Sequence, residues 1–410
     1  GIYHEDIEEV PMNDKGFRTN IIHSGEVDFM KKVMSGVAVP KVAPIYMSSV
    51  FSFDDVPTLD KVYDGTADGY VYARMTNPGT DGVCEVLAAA EGCDGAVAFS
   101  SGMAAIITSF LTFVKAGDHI ISSPVLYGGV YDYLKNELPR FGVETTFVDF
   151  ETENIEDHIR PNTKVIYSET IINPLMSVLD IRKVADIAHK HGCKFILDST
   201  FATPAVVRPM ELGVDVVVYS TTKFLGGHSD IIGGAICANK ENLPAIHRMN
   251  TLYGNIMSPF DAWLLARSLK TLEMRVKLHS ENALKVAAFF EKHPKIEKVY
   301  YAGLPSSPYY ELAQKQFVEG RCGGMLSADI RGGEKGASDF IAACESIKFV
   351  PSLAGVSTTI SYPAKTSHRA YSKAEMDAAG ISMGQLRFSM GLENAEDIIA
   401  EFEKALESVE

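Results

Sequence analysis

Short apolar runs alternate with helical patterns of hydrophobic positions from about residue 71 to residue 268. The strand-like runs lie at residues 97–100, 119–122, 144–148, 165–168, 195–198 and 214–219. Strands and helices that alternate in this way predict a mainly parallel sheet with helices on both faces. The pattern therefore predicts an α/β fold whose large domain covers residues 71–268.

The two ends of the chain differ from this alternation. Residues 1–70 have no clear periodicity and contain several prolines, so we expect an N-terminal arm that packs on another subunit. A helix is predicted over residues 258–278, and it should lead into a smaller C-terminal α/β domain at residues 269–410. A chain of 410 residues is also longer than a single compact core requires.

The charge and the cysteines limit the classes of function. The chain has 38 basic and 53 acidic residues and a formal charge of −15, which disfavours binding to nucleic acid or to an anionic membrane. No apolar run reaches the length that spans a bilayer. Six cysteines are scattered rather than paired in short motifs, so reduced thiols in a cytoplasmic protein are expected. The predicted partner is a small molecule.

One group of residues has the types that bind metals. His189, His191 and Cys193 lie close together just before a strand-like run. Basic residues are common at the C-terminal end of a helix, where they interact with its last carbonyls. We therefore predict no metal site here.

A lysine follows the last of the strand-like runs. The run at 214–219 leads into Ser220-Thr221-Thr222-Lys223 and then into a glycine-rich turn. A lysine at the end of a buried strand can lose its charge by desolvation and act as an amine nucleophile, as Schiff-base chemistry requires. The hydroxyls of Ser220 and Thr222 fall on one face of an extended chain and could bind an anion. The arrangement suggests pyridoxal phosphate, and a structural lysine that caps a turn is the alternative.

Two further strand ends carry complementary groups. One run ends in Asp198, which could pair with a protonated pyridine nitrogen or could cap the next turn. Another is followed by Ser100-Ser101-Gly102-Met103, which opens an apolar helical stretch. A glycine at a helix N-terminus lets a phosphate approach free backbone N–H groups. Three such strand ends in one α/β region favour a cofactor that bears a phosphate.

Several motifs along the chain resemble those of one enzyme family. They are Tyr72-Ala73-Arg74, Ser100-Ser101-Gly102-Met103, Tyr127-Gly128-Gly129, Glu169-Thr170, Asn173-Pro174, Asp198-Ser199-Thr200-Phe201-Ala202-Thr203-Pro204, Ser220-Thr221-Thr222-Lys223 and Arg387-Phe388-Ser389-Met390-Gly391-Leu392-Glu393. With these motifs in order along most of its length, the chain resembles the Cys/Met-metabolism family of pyridoxal-phosphate enzymes. That family includes cystathionine γ-synthase, cystathionine γ-lyase, methionine γ-lyase and the O-acylhomoserine sulfhydrylases. The resemblance implies the fold of a fold type I PLP-dependent transferase, with pyridoxal 5'-phosphate (PLP) as cofactor.

The resemblance also implies roles around the cofactor. Lys223 would carry PLP as a Schiff base and, once freed by substrate, would move protons between substrate carbons. Asp198 would hold the pyridinium, and Tyr127 would stack on the ring. The residues that would bind the phosphate are Gly102, Met103, Ser220 and Thr222.

Other matching residues are implied to reach the substrate or a second subunit. Tyr72 and Arg74 are similar to the family pair that reaches the phosphate of a neighbouring subunit, with Tyr72 close to the proton transfers. Arg387, supported by Asn173 and Ser352, is similar to the clamp for the substrate α-carboxylate. This use of residues in trans implies a homo-oligomer, expected to be a tetramer made of two dimers.

Three positions affect the choice of substrate. Gly129 stands where methionine γ-lyases usually have cysteine, whereas Asp132 and Pro351 replace an arginine and a glutamate of the cystathionine enzymes. Pro351 cannot hydrogen-bond a distal amino group and Asp132 would repel a distal carboxylate, so cystathionine is disfavoured. Asp132 is therefore predicted to contact the substrate and to favour neutral or cationic γ-substituents. The alternative is that Asp132 faces solvent or pairs with Lys135.

Two reactions of the family remain open. The first is γ-elimination from methionine, homocysteine or a related homoserine-type amino acid, with canavanine as a further candidate, to give a 2-oxo acid and ammonia. The second is a transferase reaction that replaces the γ-substituent of an activated homoserine with a thiol. Both begin with the loss of protons from Cα and Cβ and the departure of the γ-group.

Overall fold

The chain forms two main sheets that are flanked by helices. The computed structural model describes residues 16–24, 40–369 and 371–410. The strands are β1 (Gly95–Phe99), β2 (His119–Ser122), β3 (Glu144–Phe147), β4 (Thr163–Glu169), β5 (Ile171–Ile172), β6 (Ser177–Val178), β7 (Lys194–Asp198), β8 (Val216–Ser220), β9 (Gly234–Ala238), β10 (Ile296–Tyr300), β11 (Met325–Ile330), β12 (Lys348–Phe349), β13 (Thr359–Ser361) and β14 (Gln385–Ser389). The α-helices are α1 (Phe17–His23), α2 (Val56–Tyr63), α3 (Pro78–Glu91), α4 (Gly102–Phe113), α5 (Gly128–Asp132), α6 (Ile181–Lys190), α7 (Leu243–Tyr253), α8 (Pro259–Leu269), α9 (Leu272–Lys292), α10 (Tyr310–Gln316), α11 (Gly333–Ala343), α12 (Lys373–Ala378) and α13 (Ala395–Glu407).

The larger sheet confirms the predicted α/β class. Its order is β1-β9-β8-β7-β4-β2-β3, and the five strands β8, β7, β4, β2 and β3 run parallel to one another. Both faces are covered, because Val217 and Tyr219 of β8 face one hydrophobic core while Val216 and Val218 face the other. A continuous apolar run, such as the one that forms β8, is expected for a parallel strand that is buried on both sides.

The pattern of apolar runs did not identify β9. This strand is antiparallel to both of its neighbours, β1 and β8. Its sequence, Gly-Ala-Ile-Cys-Ala, is short and mostly small, so it carries little periodic signal. Small residues are required there, because a Cβ on Gly234 would lie 2.1 Å from the Ser101 carbonyl oxygen. The strand is therefore selected by tertiary packing rather than by local propensity.

The smaller sheet has the order β10-β11-β14-β13-β12 and lies in the C-terminal part of the chain. Behind it, Phe290, Phe340, Phe388 and Phe402 form a cluster of tilted and edge-to-face rings. The α/β class predicted for this part is therefore confirmed. The predicted division of the chain after residue 268 falls one residue before the end of α8, and it stays a prediction.

The helix expected over residues 258–278 is instead two helices, α8 and α9. The chain leaves helical geometry at Thr271, and α9 then continues to Lys292, well beyond the predicted end. Arg275 stabilises the break, because its guanidinium donates to the Ser268 carbonyl at the end of α8. The apolar periodicity could not show this break, since it runs through both helices.

The predicted arm, residues 1–70, contains regular structure. In its described part, α1 buries Ile21 in the main core and α2 covers Val56–Tyr63, so the lack of clear periodicity, which had suggested an irregular segment, did not mean a lack of helices there. Pro57 is compatible with α2 because it lies in the first helical turn, where backbone N–H groups have no intrahelical partner. Residues 1–15 and 25–39 of the arm lie outside the described residues.

Candidate active site

Three adjacent parallel strands end together at one edge of the larger sheet. Glu169 at the end of β4 pairs in register with Asp198 at the end of β7, and Asp198 pairs with Val218 of β8. The β8 strand ends two residues later at Ser220, and the chain turns there toward Lys223. The carboxyl edge of a parallel sheet is where ligands bind in open α/β folds. The sequence-predicted Asp198, Ser220 and Lys223 therefore belong to one edge.

Lys223 is held in a turn by hydrogen bonds at both of its ends. Its backbone N–H donates to the Ser220 carbonyl, and its own carbonyl accepts from Gly227 N–H at 2.7 Å. The side-chain Nζ donates to Ser352 Oγ at 3.0 Å. Burial lowers the pKa of Lys223, and the positive charge of Arg387 lowers it further. Both effects increase the neutral amine fraction, which is the nucleophilic form.

Asp198 is connected to the lysine turn through Thr200. One carboxylate oxygen of Asp198 accepts the Thr200 N–H at 2.9 Å, and the Thr200 hydroxyl accepts the Ser220 N–H at 2.9 Å. Burial raises the pKa of Asp198, while the hydrogen bonds from Thr200 oppose that rise. Asp198 is only half-buried, so its carboxylate can still pair with a cation at the sheet edge.

Gly102 brings the N-terminus of α4 against the end of β8. A Cβ on Gly102 would lie 2.7 Å from Ser220 Cβ, which is closer than real Cβ atoms approach one another. The Ser101 hydroxyl caps α4 by accepting the Ala104 N–H at 3.0 Å, which leaves other N–H groups of the first turn free. This arrangement is suited to an anion.

Thr222 lies beyond the strand rather than within it. Because β8 ends at Ser220, the expectation that the Ser220 and Thr222 hydroxyls fall on one face of an extended chain was wrong. The Thr222 hydroxyl accepts the Gly233 N–H at 3.1 Å and lies 3.3 Å from the Gly233 carbonyl. Its predicted contact with phosphate stays a prediction, as does that of Met103.

These residues fit PLP. The amine of Lys223 suits the aldehyde carbon, the Asp198 carboxylate suits the pyridine nitrogen, and the start of α4 suits the phosphate. When bound, the cofactor would supply an electron sink for the bonds around the substrate Cα. Among the described residues there is no group of histidine, cysteine and acidic side chains with the geometry of a metal site.

We expect Gly102→Ala to weaken PLP binding. The added methyl group must displace Ser220 or the first turn of α4, and we expect roughly tenfold lower affinity or more. Titration of the apo-protein with PLP, followed by visible absorbance, measures the change. Gly16→Ala is the control, because its Cβ would have no neighbour within 4 Å. Unchanged affinity in Gly102→Ala would show that this end of the helix does not bind the phosphate.

Arg387 of β14 is fixed by two side chains on different segments. Its Nε donates to Ser361 Oγ at 2.9 Å and its Nη1 donates to Asn173 Oδ1 at 2.7 Å. Asn173 precedes a cis peptide bond with Pro174. Burial lowers the pKa of Arg387 to about 10, and the negative charge of Glu169 opposes that shift. The guanidinium remains charged at neutral pH and suits a carboxylate.

The structure thus confirms contact between Arg387 and Asn173 but places Ser352 differently. The Ser352 hydroxyl contacts Lys223 rather than the guanidinium. Ser361, which contacts Arg387, was missed by the sequence analysis. Its signal in the sequence is weak, because a lone serine in the three-residue strand β13 gives no motif. The roles of all these residues toward a substrate stay predictions.

Tyr127 is positioned through its backbone. Its N–H donates to Glu169 Oε1 at 2.7 Å, and its side chain is 49% exposed. A Cβ on Gly129 would lie 2.8 Å from Tyr127 Cε1, so glycine at 129 leaves room for this ring orientation. An exposed ring face next to the sheet edge can stack on a planar ligand.

Tyr72 and Arg74 are not brought to the lysine within one chain. Arg74 Nη1 donates to the Thr251 carbonyl at 2.7 Å, and its guanidinium lies 5.5 Å from the centre of the Tyr72 ring. Both residues are exposed. In the described parts of the chain, no hydrogen bond joins either residue to Lys223. The predicted action of this pair on another subunit stays a prediction.

Asp132 lies exposed at the end of α5. Its carboxylate accepts a hydrogen bond from Asn136 at 2.7 Å. Lys135, the alternative partner considered from the sequence, instead forms an ion pair with Glu375 at 2.7 Å. A contact between Asp132 and the substrate stays a prediction.

Known proteins resemble the chain over almost its whole length. The family model described as Cys/Met metabolism PLP-dependent enzyme matches residues 19–407. L-methionine gamma-lyases from Porphyromonas gingivalis and Treponema denticola are 42% and 39% identical, each aligned over 96% of this chain, and over 98% and 97% of the relatives. A solved Campylobacter jejuni structure with N'-pyridoxyl-lysine-5'-monophosphate is 29% identical, with a TM-score of 0.90, over 96% of this chain and all of that one. The protein therefore belongs to the Cys/Met metabolism family of PLP-dependent enzymes.

Proposed function

We propose that the protein is a PLP-dependent carbon–sulfur lyase. It would eliminate the γ-substituent of methionine, homocysteine or a related homoserine-type amino acid and release a 2-oxo acid and ammonia. The main support is the proximity of Lys223, at the edge of the larger sheet, to the buried Arg387 of the smaller sheet, which is close enough to lower the pKa of the lysine. The similarity to relatives named L-methionine gamma-lyase supports the same reaction.

The clamp residues would select the bond that reacts. Arg387, held by Ser361 and Asn173, would bind the α-carboxylate with the planar fork of its guanidinium. A carboxylate held in one orientation limits the substrate to one rotation about its Cα, and so decides which Cα bond is broken.

The lysine would then act as the mobile base. Its Nζ reaches Ser352 Oγ at 3.0 Å, so a hydroxyl is available to hold the free amine near the substrate. Burial lowers the pKa of Lys223, which favours the neutral amine that accepts a proton from Cα. Tyr127 would support the cofactor ring from its exposed face, and Tyr72 of a second subunit would assist proton transfer.

A γ-replacement transferase, of the O-acylhomoserine sulfhydrylase or cystathionine γ-synthase type, is the second candidate. The two reactions share their first steps and differ in whether a nucleophile captures the intermediate after the γ-group has left. Incubation of the holoenzyme with methionine should give 2-oxobutanoate, ammonia and methanethiol. Incubation with O-acetylhomoserine and sulfide should give mainly 2-oxobutanoate for a lyase and homocysteine for a transferase. Homocysteine as the dominant product, without turnover of methionine, would overturn the lyase proposal.

We expect Asp132→Arg to reverse the charge preference for the distal end of the substrate. If the Asp132 carboxylate faces that end, the parent should prefer methionine or the cationic canavanine over cystathionine, because cystathionine has a distal carboxylate. The ratios of kcat/KM for the three substrates, measured in parent and variant, test this. Glu137→Arg is the matched control, since it makes the same charge change on the next turn, where Glu137 pairs with Arg140. The same ranking in parent and Asp132→Arg would show that Asp132 does not contact the substrate.

Assembly and location complete the proposal. We propose a cytoplasmic homotetramer of two dimers, with residues 1–70 as an arm, 71–268 as the PLP-binding domain and 269–410 as the small domain. Exposed apolar residues in the arm, such as Val42, Met47 and Val56, support its packing on another subunit.

The six cysteines are free, which is compatible with a reducing compartment. Among the described helices, none has both the length and the apolar character needed to cross a bilayer.

A further inference from the structure

Glu169 is a buried carboxylate beside the candidate site that has no role in the function proposed above. It is the last residue of β4, is 7% exposed, and lies opposite Asp198 in the sheet register. An ionised carboxylate in such a position is costly to bury unless hydrogen bonds or opposite charges stabilise it. The groups that stabilise Glu169 therefore indicate what its burial is for.

Glu169 receives hydrogen bonds from two separate segments of the site. Its Oε1 accepts the Tyr127 N–H at 2.7 Å, and the backbone of Asn173 also hydrogen-bonds to its carboxylate. The first segment carries the Tyr127 ring, and the second carries the Asn173 side chain that holds Arg387. One carboxylate therefore links the predicted cofactor-stacking residue to the predicted substrate clamp.

Glu169 also interacts electrostatically with the clamp. Its charge raises the pKa of the Arg387 guanidinium, which burial lowers, and Arg387 in turn lowers the pKa of Glu169. Burial and the nearby Asp198 act in the opposite direction to Arg387, and together they raise the pKa of Glu169 above its usual range. The two backbone hydrogen bonds and the positive guanidinium are the interactions that favour the ionised form.

We propose that Glu169 is a positioning residue that sets the spacing between Tyr127 and the Asn173–Arg387 clamp. Through this spacing it controls how tightly the substrate α-carboxylate is held. The inference rests on the proposed role of Arg387 as the carboxylate clamp. Glu169 itself touches neither reacting atoms nor substrate, so its loss should weaken recognition of the carboxylate in particular.

Glu91 provides a matched control for a purely structural role. It is a fully buried carboxylate that accepts the Met210 N–H at 3.3 Å and the Tyr219 hydroxyl. Burial raises the pKa of Glu91, as it does for Glu169. In the described chain, no hydrogen bond joins Glu91 to Tyr127, Asn173 or Arg387. Loss of one of its two acceptor oxygens should therefore lower stability without changing carboxylate recognition.

The test compares two unreactive ligands that differ only in the carboxylate. Norleucine and pentylamine have the same carbon chain and amine, but pentylamine has no carboxylate, and neither has a leaving group on Cγ. Their equilibrium affinities for the holoenzyme are measured from the change in visible absorbance. Because neither ligand undergoes elimination, the result does not depend on which reaction the enzyme catalyses.

We expect the preference for norleucine over pentylamine to fall about tenfold or more in Glu169→Ala, since one hydrogen bond to a charged group contributes that much. Glu169→Gln should show a smaller fall, because its amide oxygen can still accept one N–H while its NH₂ group cannot accept the other. Glu91→Gln should keep the parental preference even if its melting temperature falls. If Glu169→Ala does not fold, Glu169→Gln gives the answer.

An unchanged preference in folded Glu169 variants with lowered melting temperatures would overturn the proposal and leave Glu169 a structural residue. A parallel Arg387→Ala variant separates this failure from failure of the clamp. If Arg387→Ala also keeps the preference, the carboxylate is bound elsewhere, and both the clamp and the role of Glu169 are overturned. If only Arg387→Ala loses the preference, the clamp is supported and the positioning role is overturned.

Discussion

Lys223→Ala should lower turnover by roughly 1,000-fold or more, because in the proposed function the side chain would serve both as the nucleophile and as the base. The purified variant should also lack the visible absorbance that the parent owes to covalently bound PLP. Burial and the charge of Arg387 lower the pKa of the Lys223 amine, so its neutral form is more accessible than that of an ordinary lysine. No other lysine can substitute for it unless its amine reaches the same edge of the sheet.

Reduction with borohydride provides an independent measurement of the same prediction. In the parent it should bleach the visible absorbance and fix the cofactor on the peptide that contains Lys223, as detected by mass spectrometry. Lys194→Ala is a suitable control, because Lys194 lies at the opposite end of β7 and forms an ion pair with Glu241. Parental turnover in Lys223→Ala, or a colourless parent that gains no absorbance with added PLP, would contradict the assignment.

The sequence was sufficient for the parts of the site that depend on local structure. Asp198 is the last residue of an apolar strand, Lys223 lies in the turn that follows another, and Gly102 opens a helix, so each gives a short signal with its own physical reason. The order of these motifs also identified the fold class. The strand boundaries differed from the predicted ones by at most two residues, because buried parallel strands give continuous apolar runs.

The remaining features depend on contacts between distant segments. Ser352 meets Lys223 across 129 residues, and Ser361 supports Arg387 only because β13 and β14 pair. Glu169 was part of a recognised motif, but its two backbone donors come from loops whose approach no local pattern records. The strand β9 and the break between α8 and α9 were missed for the same reason. Tertiary packing decides both, and periodicity does not.

Tyr72 and Arg74 raise a question that concerns two chains rather than one. Within a single chain, Arg74 donates to the Thr251 carbonyl, and among the residues that the structure describes no hydrogen bond joins Tyr72 or Arg74 to Lys223. Arg387 and Lys223, in contrast, interact electrostatically within the same chain. If the site is completed by a partner, it should therefore contain Lys223 and Arg387 of one subunit and the Tyr72–Arg74 pair of the other. Mixed oligomers can distinguish residues that share a site within one chain from residues that share a site across two chains.

Mixing Arg74→Ala chains with Lys223→Ala chains should restore activity that neither variant has alone. In a hybrid dimer, one site combines Lys223 of the first chain with Arg74 of the second and is intact, while the other site carries both substitutions. With random exchange of equal amounts, half of the dimers are hybrids with one intact site each, so about a quarter of the parental activity should return. Turnover is measured after denaturation and refolding of the mixture, with exchange verified by differently tagged chains.

The matched control mixes Arg387→Ala chains with Lys223→Ala chains. Because these two residues belong to the same site of the same chain, each site of a hybrid dimer carries one substitution, and no activity should return. Recovery in the first mixture but not in the second is the result that shared sites require. The absence of recovery in both mixtures, despite verified exchange, would mean that Arg74 acts within its own chain. Recovery in both mixtures would mean that Arg387 acts across the interface as well as Arg74. Only residues contributed by different subunits can complement each other in a hybrid.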